Sequence, residues 1–217
     1  MRVRIKMCGT TRAQDAEAAV ALGVDALGFI FAEKSPRYVT PELASELIET
    51  LPPFIARVGV FVDCDPEQVK KTVVTAGLTQ VQLHGKESVD YCRNLKNWNR
   101  SLTICKSFLV GTQAMDHALA PYYGVIDCVL FDTYVKGQDG GTGRTFDWEI
   151  VGKQRFDVPM ILAGGLNPDN VAEAIKMTAP YAVDVNSGIE DHPGAKNHEL
   201  LARLVANVRA AEQQLSA

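Results

Sequence analysis

RVRIKMCGTTRAQDAEAAVALGVDALGFIF, residues 2–31, reads as strand, helix, strand. RVRIKM (2–7) alternates basic and apolar side chains, the period of an extended chain. ALGFIF (26–31) is a short apolar run of the kind buried in a parallel sheet. Between them TRAQDAEAAVAL (11–22) is alanine-rich and helical in pattern, and Gly23 stands where a helix commonly ends in the left-handed region. A strand, helix, strand unit of this size pairs its strands in parallel through a right-handed crossover.

The same unit recurs down the chain. Further strands are expected at 55–62 (IARVGVFV), 79–83 (TQVQL), 102–107 (LTICKS), 125–131 (VIDCVLF), 158–163 (VPMILA) and 181–185 (YAVDV). Helical patterns cover Pro41–Leu51, Pro66–Ala76, Pro168–Met177 and His198–Leu215. Thr40-Pro41, Asp65-Pro66 and Asn167-Pro168 each set a capping residue before a first-turn proline, and Gly77 takes the same terminal place as Gly23. The 112–120 segment is a weak helix, and the helix before the seventh strand is poorly defined. Eight strands alternating with helices predict an α/β fold, a compact (β/α)8 TIM barrel. An open doubly wound sheet usually needs five or six strands and often a glycine-rich dinucleotide turn, and neither fits. The chain of 217 residues allows about 27 per unit, against roughly 31 in a typical ~250-residue barrel. No linker divides it, so one domain over 1–217 is expected.

Composition removes other classes. With 22 Lys+Arg, 26 Asp+Glu and a net charge of −4, the chain lacks the clustered positive field that nucleic acid or an anionic membrane selects. No apolar run approaches a membrane span, and the N-terminus lacks a signal peptide's continuous apolar core. Five scattered cysteines without a CxxC pair fit free thiols in a reducing compartment, hence a cytoplasmic location. Four scattered histidines give no metal-binding spacing, so no metal and no cofactor are expected. No apolar stripe stands out on the helices, which makes a monomer the default.

Alternation assigns the barrel's two faces. Val3, Ile5 and Met7 should meet the helices; Arg2, Arg4, Lys6 and Cys8 should face the barrel axis and its mouth. Gln80, Gln82 and His84 share that inner face, as do Asp184 and Asn186. Buried Lys6 and Asp184 need partners, and a structural ion-pair layer would supply them.

Barrels of this kind carry their site at the strands' C-terminal ends. Gly164-Gly165 and Ser187-Gly188, after the seventh and eighth strands, suit a phosphate held by backbone N–H groups, a following helix N-terminus and the Ser187 hydroxyl; alone, each could be merely a tight turn. Cys8 and Asp132 are the candidate acid–base pair. A free thiol titrates at about 8.5, and nearby cations such as Lys6 lower it. A carboxyl in a closed mouth can be raised to act as an acid. Cys8 could otherwise be a small buried filler, the reading given to Cys128 and, more weakly, to Cys92 and Cys105; Cys64, between two aspartates, reads as loop surface. Arg37, behind the rigid Pro36, suits bidentate binding of a carboxylate. His84 could polarise a substrate group or be a satisfied structural histidine. The glycine-rich Thr133–Trp148 is long enough for a lid over the mouth, or a tolerated insertion.

Seven pieces carry a likeness in order along essentially the whole chain: KMCGTTR (6–12), GFIFAEKSPRYVTPE (28–42), VGVFVD (58–63), VQLHG (81–85), FDTYVKGQDGGTGRTFDW (131–148), ILAGGLNPDNV (161–171) and VDVNSGIEDHPGAKN (183–197). In these the sequence resembles the phosphoribosylanthranilate isomerase family of tryptophan biosynthesis. That resemblance implies a cofactor-independent Amadori rearrangement of N-(5-phosphoribosyl)anthranilate to 1-(2-carboxyphenylamino)-1-deoxyribulose 5-phosphate. It implies Asp132 as the general acid, Cys8 as the general base, Arg37 on the anthranilate carboxylate, and the Gly164-Gly165 and Ser187-Gly188 turns on the phosphate. The chain departs from the family pattern at KMCGTT, where KICGIT is usual, at Asn186-Ser187-Gly188, where SSG is frequent, and at Lys196-Asn197, where Lys-Asp is common. The alternatives are a histidine-pathway or bifunctional phosphosugar isomerase, against which Cys8 argues, and a non-catalytic phospho-ligand barrel, which could dispense with the acid–base pair.

Overall fold

The computed structural model describes residues 2–109, 118–132, 148–152 and 154–215. Eight strands lie in it: β1 (Arg4–Met7), β2 (Ala26–Ile30), β3 (Ala56–Phe61), β4 (Gln80–Leu83), β5 (Thr103–Leu109), β6 (Cys128–Asp132), β7 (Met160–Ala163) and β8 (Ala182–Val185). They close into a barrel in sequence order, every neighbouring pair parallel, with β8 returning to β1 through Lys6↔Asp184 and Met7↔Val185. The described helices are α1 (Ala13–Ala21), α2 (Pro41–Glu49), α3 (Pro66–Ala76), α4 (Val89–Trp98), α5 (Trp148–Gly152), α6 (Val171–Thr178) and α7 (His198–Leu215). A small antiparallel hairpin, β9 (Glu190–His192) with β10 (Ala195–Lys196), follows β8.

Local chemistry explains most helix ends. Thr40 accepts from Leu43 N–H ahead of Pro41, and Asp65 accepts from Glu67 and Gln68 N–H ahead of Pro66, which satisfies donors the first turn leaves free. Gly77 closes α3 at φ 64°. Asn167-Pro168 does not start a helix. Asn167 Oδ1 accepts from Asp169 N–H in a turn, and α6 begins only at Val171; the asparagine serves its own loop instead of a helix cap. β6 also starts later than expected, because Val125 and Ile126 sit in a turn after a short 3-10 helix at Ala120–Tyr122. Most of the weak 112–120 segment lies outside the described residues.

The alternation rule holds. Ile5, Met7, Leu27, Phe29, Leu83, Ile104, Phe131 and Val183 are buried against helix residues such as Ala16, Leu47, Val73, Leu95, Ile175 and Leu204 in one continuous core. Each such large side chain contributes roughly 1.5–3 kcal/mol by leaving water. Two smaller clusters contain inward-facing strand residues: Cys105, Cys128, Leu130 and Ala163, and, nearer the mouth, Cys8, Ile30 and Val60. Cys92, Cys105 and Cys128 are buried, as fillers should be. Lys6 and Asp184 form the expected buried pair, Nζ to Oδ2 2.6 Å.

Candidate active site

The inner wall of β1 sets the first group. Cys8 follows β1, its N–H donating to Val185 O at 2.8 Å, and the residue is 6% exposed. A Cβ on Gly28 of the adjacent strand would come within 3.0 Å of Cys8 Sγ, so a side chain there would crowd the thiol. Burial pushes the Cys8 thiol up, Lys6 and Lys196 pull it down, and Asp184 raises it again; burial dominates and the net direction is up. The neighbouring cations act in the expected direction, but burial outweighs them, so the thiol is not brought below its ordinary range. Lys6 faces the same burial, yet Asp184 and Cys8 hold its ammonium above the usual range.

Asp132 closes β6 on a different wall, paired in register with Leu109 and Ala163. Its Oδ2 lies 3.2 Å from His84 Nε2, and the other ring nitrogen, Nδ1, is 3.1 Å from Gln82 Nε2. His84 therefore does not stand alone: its ring bridges Gln82 and the candidate acid. Asp184 pairs with Lys6 of β1 and feels the charges of His84 and Asp132 across the barrel. Burial pushes its carboxyl up, Lys6 and His84 draw it down, and the nearby Asp132 raises it further.

Arg37 lies beside the mouth, its N–H donating to Ser35 Oγ. The guanidinium is not idle: Nε and Nη2 grip Glu190, with Nη2 to Oε2 at 2.6 Å. Glu190 also takes Lys196 Nζ at 2.8 Å. Burial opposes its charge, but Arg37 and Lys196 outweigh burial and hold the carboxyl below its usual range.

The two small-residue turns meet. Gly164 and Gly165 adopt φ 88° and 64°, a region open to glycine at little cost. Asn167 and Asn170 side chains both donate to Gly165 O. A Cβ on Gly188 would sit 2.0 Å from Leu166 O, so only glycine lets the β8 turn lie against the β7 turn. Ser187 is exposed and opens a three-residue 3-10 turn rather than a full helix. The α-helix dipole expected directly behind it is therefore replaced by the hairpin, and α7 starts later, at His198. Gly188→Ala is expected to force the turns apart, costing about 1–3 kcal/mol of stability and raising KM. Thermal melts and steady-state kinetics check it; an unchanged melting temperature and KM would refute the close packing.

Sequence reasoning assigned no role to Gln82, Glu190 or Lys196. The last two lie inside VDVNSGIEDHPGAKN, but their ion pairs need the hairpin to be seen. Of the lid stretch only Trp148 is described, buried at the start of α5; 133–147 lie outside the described residues.

Comparison with known proteins gives the chain's family. The family model for N-(5'-phosphoribosyl)anthranilate (PRA) isomerase matches residues 5–207. The N-(5'-phosphoribosyl)anthranilate isomerase of Geobacter sp. (strain M21) is 46% identical over 207 residues, covering 95% of this chain and 98% of its own. The crystal structure of phosphoribosyl anthranilate isomerase from Thermotoga maritima superposes with a TM-score of 0.87 at 40% identity, covering 96% and 99% of the two chains. A phosphoribosyl anthranilate isomerase in complex with reduced 1-(o-carboxyphenylamino)-1-deoxyribulose 5-phosphate superposes with a TM-score of 0.82 at 37% identity, again covering 96% and 99%.

Proposed function

Since the chain belongs to the N-(5'-phosphoribosyl)anthranilate isomerase family, we propose that Cys8 and Asp132 perform the family's chemistry as base and acid from separate walls of the barrel. The enzyme is an isomerase of tryptophan biosynthesis: it converts N-(5-phosphoribosyl)anthranilate to 1-(2-carboxyphenylamino)-1-deoxyribulose 5-phosphate by general acid–base catalysis.

In the proposed sequence Asp132 gives its proton to the furanose ring oxygen. The C1–O bond breaks and the nitrogen lone pair closes a cationic Schiff base. Cys8, as thiolate, takes the proton from C2, and the C–H electron pair forms the enolamine, which tautomerises to the ketone. Lys6 and Lys196 favour that thiolate against burial. Arg37 receives the anthranilate carboxylate. The Gly164-Gly165 and Ser187-Gly188 turns receive the phosphate. His84 contributes by holding Asp132. The observation that carries this reading is the joint placement of Cys8 after β1 and the Asp132–His84 pair at the ends of β6 and β4.

The chain should restore growth of a tryptophan auxotroph lacking this isomerase and leave a histidine auxotroph unrescued. Failure of the first would refute the activity; rescue of the second would reveal another. We also take 1–217 as one domain, acting as a monomer in the cytoplasm. All five cysteines are free, which suits a reducing compartment, and no helix among the described residues is long and apolar enough to cross a membrane. Sedimentation at twice the single-chain mass would refute the monomer.

A further inference from the structure

Glu190 sits behind the candidate site, its side chain 3% exposed. Its Oε1 accepts from Arg37 Nε at 2.9 Å, Lys196 Nζ at 2.8 Å and Gly194 N–H at 3.2 Å. Its Oε2 accepts from Arg37 Nε at 3.0 Å and Nη2 at 2.6 Å. Lys196, whose side chain is fully buried, also donates to Asn186 O at 3.3 Å and Oδ1 at 2.8 Å, at the start of the β8 turn. Gly9 adds a steric stop. Its φ is 72°, and a Cβ there would meet Arg37 Cδ at 2.7 Å and Asn186 Oδ1 at 2.8 Å.

A guanidinium is planar, so a carboxylate gripping its Nε and Nη2 edge fixes the direction of the remaining nitrogen. Arg37 Nη1 makes no hydrogen bond among the described residues, while the rest of the head group is committed to Glu190. Two cations around one anion leave a single positive charge, the complement of one substrate carboxylate. Fixing the arginine beforehand removes the ordering cost that binding would otherwise carry.

We propose that Glu190 is a positioning residue for carboxylate recognition: it holds the far edge of Arg37 so that Nη1 is presented to the substrate's aryl carboxylate, and Lys196 fixes Glu190 in turn. The proposal rests on the reading of Arg37 as the carboxylate binder.

Calorimetric titration of two ligands tests it: the product, 1-(2-carboxyphenylamino)-1-deoxyribulose 5-phosphate, and its analogue lacking the carboxylate. Glu190→Gln should weaken the product about tenfold or more and leave the analogue within about twofold, with KM rising and kcat nearly kept. In an Arg37→Ala background the same change should have no further effect on either ligand. Equal weakening of both ligands, or an effect that persists without Arg37, would overturn the proposal by showing a general structural role. Unchanged product affinity in Arg37→Ala alone would overturn the Arg37 reading and the proposal with it. Should Glu190→Gln fail to fold, Glu190→Gln/Lys196→Met, which removes one buried cation together with the anion, is read by the same criteria.

Discussion

Asp132→Asn is expected to lower kcat by about 10²–10⁴-fold, the usual worth of a positioned general acid, with KM changed far less. The carboxamide keeps the shape of the side chain at the end of β6 and can still meet His84. It cannot deliver a proton to the ring oxygen. The fold should survive, because β6 is held at this point by backbone pairing to β5 and β7 rather than by the carboxylate. A melting temperature near that of the parent, with the loss confined to kcat, is the predicted pattern. A variant that turns over at nearly the parent rate would remove Asp132 from the mechanism and leave its contact with His84 a structural one.

Cys8→Ala is expected to lose turnover to a similar extent while also folding. Deleting one buried sulfur beside Ile30 and Val60 leaves only a small void, so stability should fall by about 1 kcal/mol or less. The pH dependence is more diagnostic. Burial holds the thiol above its ordinary range, so the thiolate fraction in the free enzyme grows as pH rises from neutrality. The reaction also consumes a proton held by Asp132, so the thiolate is read cleanly where that acid is absent: the residual kcat/KM of Asp132→Asn should climb on the alkaline side, and that climb should vanish in Asp132→Asn/Cys8→Ala. An unchanged profile in the double variant would show that the rise belongs to another group. The two substitutions act on successive steps of one substrate, so their effects should not add when combined.

The barrel was legible in the sequence because strand and helix periods alternate cleanly and the barrel needs no special residue to close. The inner and outer faces followed from period two: Lys6, Cys8, Gln82 and Asp184 turn inward as β1, β4 and β8 alternate. Capping chemistry located α2 and α3, whose Thr40 and Asp65 act on the N–H groups that follow them. It failed at Asn167, where the same residue type closes a loop turn instead. The site's residue types and strand ends were readable for the same reason as the barrel. Their electrostatic partners were not. Arg37 and Glu190 are 153 residues apart, and His84 meets Asp132 only because β4 and β6 share one mouth. The thiol's net direction was not legible, because adjacency to Lys6 is visible in the chain, whereas burial is a property of the closed barrel.

The central claim, one substrate worked on by an acid on β6 and a base after β1, is tested most directly by following the fluorescence decay of N-(5-phosphoribosyl)anthranilate. The parent chain, Cys8→Ala and Asp132→Asn are compared at equal concentrations of folded protein. The account predicts rapid decay with the parent and, in both variants, rates below about a hundredth of it. An inactive parent, or either variant keeping more than about a tenth of the parent rate, would contradict it.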